Sequence, residues 1–91
     1  MKRYLIERDI PTIGSLPPDE LRKGAKASNS ALNQIGTDIQ WQHSYVAADK
    51  TFCVYLAKDQ NVIKRHAELS GFPASKITEI TAIIDPTTAN A

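Results

Sequence analysis

The chain alternates between stretches in which hydrophobic residues recur every second position and stretches in which they recur every three or four. The first stretch, Lys2–Asp9, has a period of two, which is typical of a strand. Successive side chains of a strand point to opposite faces of the sheet. We therefore predict one face with Tyr4 and Ile6 and another with Arg3, Leu5 and Glu7.

Two stretches have the helical period. The first begins at Pro17 and Pro18, which a first helical turn tolerates, and ends at Gly36. The second begins after Asp59, a favourable N-cap, and ends at Gly71. The predicted inward-facing positions are Leu21, Ala25, Ser28, Leu32 and Ile35 in the first helix and Val62, Ile63, His66, Ala67 and Ser70 in the second.

Three further strands complete the pattern. Ile39–Val46 and Thr51–Ala57 flank a short polar connection and predict a hairpin. The last strand is expected over Lys76–Ile84, where Ile80, Ala82 and Ile84 would form a wholly apolar face. Residues 87–91 are expected to form a flexible tail.

The order strand, helix, strand, strand, helix, strand predicts an α+β, ferredoxin-like βαββαβ fold over residues 1–91 as a single domain. Four antiparallel strands would carry both helices on one face. The other face would be open, and an open face with apolar and aromatic residues usually marks an interface. We therefore expect a homodimer packed sheet to sheet, of the dimeric α/β-barrel type, with a pocket between or beside the sheets.

The hairpin register decides which side chains share that open face. With a four-residue loop over 47–50, Val46 lies opposite Thr51, and Trp41, His43 and Tyr45 share a face with Phe52, Val54 and Leu56. A loop one residue longer or shorter places the same three residues with Cys53 and Tyr55, because a one-residue slip reverses every side chain. We favour the second register, since it directs Phe52, Val54 and Leu56 towards the helices.

Composition and charge argue against several classes of function. The net charge of +1 provides no basic field for nucleic acid or a membrane surface. The third strand also lacks the motif of base-stacking RNA-binding sheets. The single cysteine cannot form an internal disulfide and fits a reducing compartment. Without an apolar run typical of a signal peptide or membrane span, we expect a cytoplasmic protein.

Several residue types in this chain could bind a metal ion. The candidate ligands are His43, Glu7, Tyr45, Cys53, Glu79 and His66. Imidazole suits nickel, copper or zinc, and His43 and Tyr45, two apart on a strand, face the same way. Trp41 and Tyr55 would be pocket or interface walls.

Each candidate also has a purely structural interpretation. His43 would be a hydrogen-bonded histidine at a sheet or dimer face, and His66 a helix histidine satisfied by a neighbouring polar group. Cys53 would be a small buried apolar residue. Glu7 and Glu79 would lie at a solvated edge or pair across strands with Arg3 or Lys76. No CxxC or HExxH spacing decides between the two interpretations.

Four segments together resemble a family of small bacterial proteins, once classed as a domain of unknown function and now described after a nickel-binding member. They are Ile39–Val46, Phe52–Ala57, the run from His66-Ala67 to Gly71-Phe72-Pro73-Ala74, and Ile84-Asp85-Pro86-Thr87, with Glu7–Pro11 as a further match. The resemblance implies a ferredoxin-like fold, a dimer and nickel binding.

Three functions are therefore considered. The first is a non-enzymatic, nickel-binding protein with its site around His43 on the open face or at the dimer interface. The alternative is a protein of the dimeric α/β-barrel class that binds a small molecule, or a cofactor-free monooxygenase or isomerase, in which His43 transfers protons. A deep apolar pocket walled by His43 would favour the alternative, and a shallow cluster of histidine and carboxylates would favour the metal. A dimerisation module without any site is the third possibility.

Overall fold

The structure of the protein, a computed structural model, describes residues 1–90. They form four strands and two α-helices in the predicted order, with two short 3-10 helices. The elements are β1 Lys2–Asp9, α1 Pro18–Ile35, β2 Ile39–Val46, β3 Lys50–Ala57, α2 Gln60–Ser70 and β4 Lys76–Ile80, with the 3-10 helices at Ile13–Ser15 and Pro86–Asn90. Neither α-helix of this range has the length and hydrophobicity needed to cross a bilayer.

The strands form one antiparallel sheet in the order β2-β3-β1-β4. The predicted ferredoxin-like fold is confirmed. The predicted N-cap of α2 and the predicted C-terminal glycines of both helices are present. The Asp59 carboxylate accepts the Val62 N–H at 3.0 Å at the start of α2, and Gly36 and Gly71 occupy positive φ at the two C-termini.

The core lies between the sheet and the two helices. Its buried members are Tyr4, Ile6, Ile39, Cys53, Tyr55, Ala57 and Ile63. Tyr4 and Ile6 share this face as predicted, while their neighbours Arg3, Leu5 and Glu7 lie on the opposite, open face. The alternation of residue types was enough to predict which side chains of β1 face the helices, because β1 is a central strand with one covered face.

The favoured hairpin register is wrong. Val46 pairs with Thr51 and Tyr45 with Phe52, which is the register of the four-residue connection. Cys53 and Tyr55 consequently point beneath the helices, where they are 5% and 2% exposed. The half-buried Phe52, Val54 and Leu56 occupy the open face instead. The buried residues of β3, on the helix side, are Thr51, Cys53, Tyr55 and Ala57.

A β-bulge at Gln42 adds a second correction. Trp41 pairs with Tyr55 and His43 pairs with Val54, so Gln42 is the extra residue in β2. A bulge reverses the alternation beyond it. Trp41 therefore lies on the helix side, with its ring stacked on Tyr55 at 6.4 Å, while His43 lies on the open face. Both registers considered from the sequence had placed these two residues on the same face.

The last strand is shorter than predicted. β4 ends at Ile80, which pairs with Arg3 near the beginning of β1, so its partner strand has almost no residues left to pair with. The chain beyond leaves Ile83 and Ile84 66% and 80% exposed. Within the expected tail at 87–91, residues 87–90 belong to the exposed second 3-10 helix, and Ala91 lies outside the described residues.

Candidate functional site

The six candidate metal ligands are divided between the two faces and the sheet edge. His43, Tyr45 and Glu7 lie on the open face, whereas Cys53 and His66 are buried on the helix side. The sheet layer therefore separates these two groups. Within residues 1–90, no three His, Cys, Asp or Glu side chains are grouped so that they could hold a metal ion.

On the open face, His43 and Tyr45 form a hydrogen-bonded pair. The His43 Nε2 lies 3.2 Å from the Tyr45 hydroxyl, and the two rings meet edge to face with centroids 5.1 Å apart. Both side chains are exposed, Tyr45 to 62%. The bond uses only Nε2, so Nδ1 of an accessible imidazole faces no protein partner among the described residues.

The two glutamates form ion pairs at separate places. Glu7 on β1 lies 3.6 Å from Lys50, which is also 3.8 Å from Asp9. Glu79 lies 3.7 Å from Lys2 at the β4 edge. Tyr45 and Glu7 both neighbour Phe52 from opposite strands, so two strand spacings, about 10 Å, separate them. In this structure Glu7 is engaged by Lys50 and lies across Phe52 from the His43–Tyr45 pair.

The second histidine belongs to a buried polar cluster. His66, 1% exposed, places Nε2 3.2 Å from Ser28 Oγ and 3.3 Å from the Ser28 carbonyl oxygen. Its Nδ1 lies 3.5 Å from Arg8 Nη2. An arginine only donates, so Nδ1 accepts and Nε2 carries the proton of a neutral imidazole. Ser28 Oγ also lies 3.4 Å from the Tyr55 hydroxyl.

Burial and charge set the protonation of this cluster. Burial lowers the pKa of His66 below its ordinary 6.5, and the neighbouring Arg8 charge lowers it further. Burial raises the pKa of the Tyr55 hydroxyl, against the opposing effects of the Ser28 hydrogen bond and the Arg8 charge. Both groups are therefore neutral near pH 7. His66 matches its structural interpretation, because both of its ring nitrogens already face partners in the protein.

A cavity of about 540 Å³ lies on the helix side of the sheet, bounded by α1, β2 and β3. Trp41 and Tyr55 form part of its wall, as pocket residues but on the face opposite to the one expected. Ser28, Arg8 and Cys53 also line it, and His43 does not. This largely apolar pocket lies on the other side of the sheet from His43, so it is not the His43-walled pocket that the enzyme hypothesis requires.

Sequence reasoning missed Arg8 and the polar role of Ser28. Arg8 is 3% exposed and lies on the Tyr4–Ile6 side of β1. The signal was present, because the alternation that buries Tyr4 and Ile6 also directs residue 8 inward. A basic residue at an inward position is unusual enough to indicate a special environment.

Comparison with known proteins identifies the family to which the chain belongs. The profile of one family, described as nickel responsive protein SCO4226-like, matches residues 4–80. The chain belongs to this family. Membership supports a role connected with nickel and agrees with the resemblance recognised in the sequence. No curated protein sequence gives a significant match.

Among solved structures, the chain is similar to SCO4226 from Streptomyces coelicolor A3(2). The two share 13% sequence identity and superpose with a TM-score of 0.75 over 90% of this chain and 99% of that chain. At this identity the similarity demonstrates the fold alone. The SCO4226-like fold thus agrees with the βαββαβ arrangement described above.

Proposed function

We propose that this member of the SCO4226-like family binds nickel without catalysing a reaction, and that two copies form the site around His43. The observation that supports this most directly is the accessible imidazole of His43 beside Tyr45 in a chain of a nickel-responsive family. Imidazole is a preferred ligand of nickel.

His43 is favoured over His66 by access and by electrostatics. His66 is buried, and its accepting nitrogen faces the positive guanidinium of Arg8 at 3.5 Å. A divalent cation would have to displace that charge. At His43, a metal can take Nδ1 while Nε2 donates to the Tyr45 oxygen. Such an outer hydrogen bond commonly fixes the orientation of a metal-binding histidine.

One chain supplies too few donors for a stable site, which is why the proposal includes a second copy. The open face and the C-terminal segment also favour pairing of two chains, because they expose apolar groups to water. These groups include Leu5, Phe52, Val54, Leu56 and Ile80 at half-burial, and the largely exposed Tyr45, Ile83 and Ile84. In the proposed dimer the two-fold axis passes beside β2, so that the paired open faces cover apolar surface and the two His43 side chains approach one another.

Equilibrium dialysis of tag-free protein against a nickel salt, followed by elemental analysis, tests the proposal. Wild type should retain nickel, and His43→Gln should lose it. His66→Gln is the matched control, since it removes an imidazole from the buried side and should retain nickel. Tyr45→Phe should bind about tenfold more weakly, because the outer hydrogen bond is lost.

The oligomeric state is measured on the same samples by sedimentation. We expect a dimer of wild type whose dissociation constant decreases when nickel is present, because a ligand bound across the interface stabilises it. Nickel retained equally by wild type and His43→Gln would contradict the site. A monomer that binds nickel at His43 would contradict the role of the second copy.

A further inference from the structure

The cavity on the helix side owes its size to the residues of α1 that face it. These positions carry small side chains, namely Gly24, Ala25, Ala27 and Ser28. A helix with leucines at these positions would fill the space above Tyr55. The cavity volume, about 540 Å³, falls within the range of small-molecule sites in proteins, whereas the voids of an ordinary core are few and small.

The walls of the cavity are largely apolar and partly aromatic. Trp41 and Tyr55 stack at an interplanar angle of 19°, and Ile13, Leu16 and Phe72 contribute further apolar surface. Leu16 and Leu21 are each 37% exposed, so the cavity opens to solvent near the beginning of α1. The site therefore offers a stacking surface and an entrance.

Arg8 places a positive charge in this apolar setting. No carboxylate of residues 1–90 lies within ion-pairing distance of its guanidinium. Nη1 donates to the carbonyl oxygens of Phe72 and Pro73 at 3.3 and 3.1 Å, and Nη2 faces His66. The Tyr55 hydroxyl also interacts with the guanidinium, whose Cζ lies 6.0 Å from the centroid of the Tyr55 ring, so the neighbours of Arg8 are neutral groups.

A buried charge without a counter-charge is costly, and a carboxylate is the group that best matches the donors of a guanidinium. We propose that this cavity binds a small aromatic carboxylic acid, with the carboxylate on Arg8 and the ring beside Trp41 and Tyr55. This site is separate from the proposed nickel site, since the sheet lies between them.

The fluorescence of Trp41, the single tryptophan, reports binding directly. Metal-free wild type is titrated with 3-phenylpropionate and with its neutral amide, 3-phenylpropanamide, which has the same ring and chain. We expect the acid to bind about tenfold more tightly or better, as for a charge-assisted hydrogen bond. His43→Gln should bind the acid as wild type does.

Two variants locate the site. Gly24→Leu fills the cavity, since a side chain there would begin 3.4 Å from the Phe72 ring, and it should lose the binding of both compounds. Arg8→Met should lose the preference for the acid over the amide, whereas Arg8→Lys, which keeps the charge, should retain part of it. If Arg8→Met does not fold, Arg8→Lys and Gly24→Leu still decide the question.

Three results would overturn the proposal. They are equal affinity for the acid and the amide in wild type, unchanged binding in Gly24→Leu, and failure of wild type to bind either compound. The last result would also be obtained if a second copy fills the cavity. An aromatic acid that binds wild type and not Gly24→Leu would support the site whatever the outcome of the nickel experiments.

Discussion

The buried imidazole of His66 should make the protein less stable in mildly acidic solution. In the native state, burial and the Arg8 charge depress the pKa of His66 below 6.5, so the ring stays neutral. In the unfolded chain the ring takes up a proton near pH 6.5. The unfolded state therefore binds more protons below that pH. The stabilisation is present above pH 6.5 and is lost as the pH falls towards the native pKa.

Its magnitude follows from proton counting. A difference of one bound proton changes the free energy of unfolding by about 1.4 kcal/mol per pH unit. Between about pH 7.5 and about pH 5.5 the loss has an upper limit of about 1.4 kcal/mol, which applies to a ring that stays wholly neutral at the lower pH, because only the lower half of that interval lies below the unfolded pKa. For a domain of this size that limit corresponds to a decrease in melting temperature of roughly 5–10 °C.

Urea unfolding at the two pH values and one protein concentration measures this loss. His66→Gln keeps a neutral hydrogen-bonding side chain that does not titrate, so its stability should change less between the two pH values than that of wild type. His43→Gln, which removes the exposed imidazole, should show the wild-type difference. Equal pH dependence in wild type and His66→Gln would refute the argument. So would an NMR titration in which the His66 ring of the native protein protonates above pH 6.5.

Three further predictions concern local interactions. Ser28→Ala should destabilise the protein by about 1–2 kcal/mol, because it removes the buried hydroxyl that contacts both Tyr55 and His66. The double variant with Tyr55→Phe should cost less than the sum of the two single variants, and additive costs in a double-mutant cycle would argue against the Ser28–Tyr55 bond. Asp59→Ala should lower the free energy of unfolding by about 1 kcal/mol through loss of the α2 N-cap, and Asp59→Ser should restore most of it. Gly14→Ala should destabilise the protein by about 1–3 kcal/mol. A Cβ at this position would lie 2.5 Å from the Ala47 carbonyl oxygen, and a melting temperature equal to that of wild type would contradict that close approach.

The features that follow from short-range periodicity were predictable. The faces of β1, the ends of both helices and the Asp59 cap depend on local spacing and local chemistry, and the structure confirms them. The inward position of His66 followed from the helical repeat in the same way.

The hairpin was not predictable in the same manner. Its register depends on which of two similar alternations packs better under the helices, and the bulge at Gln42 has no signal of its own in the sequence. That single extra residue decides that Trp41 lines the internal cavity and His43 faces outward. The end of β4 depends on the length of its partner β1, which is a property of the assembled sheet.

Some contacts of the candidate site were predictable from local spacing, and others were not. The pairing of His43 with Tyr45 follows from their spacing on one strand, and the structure has it at 3.2 Å. The cluster of Arg8, Ser28 and His66 joins a strand and two helices far apart in sequence. No local sequence pattern predicts contacts between residues so far apart in the chain, so the cluster was identified only in the structure.

Crystals grown with a nickel salt, with anomalous diffraction collected at the nickel absorption edge, test the central claim most directly. We predict an anomalous peak beside the His43 ring, enclosed by the open faces of two copies of the chain. A peak bound at His66, or nickel-soaked crystals with no peak at His43, would contradict the claim.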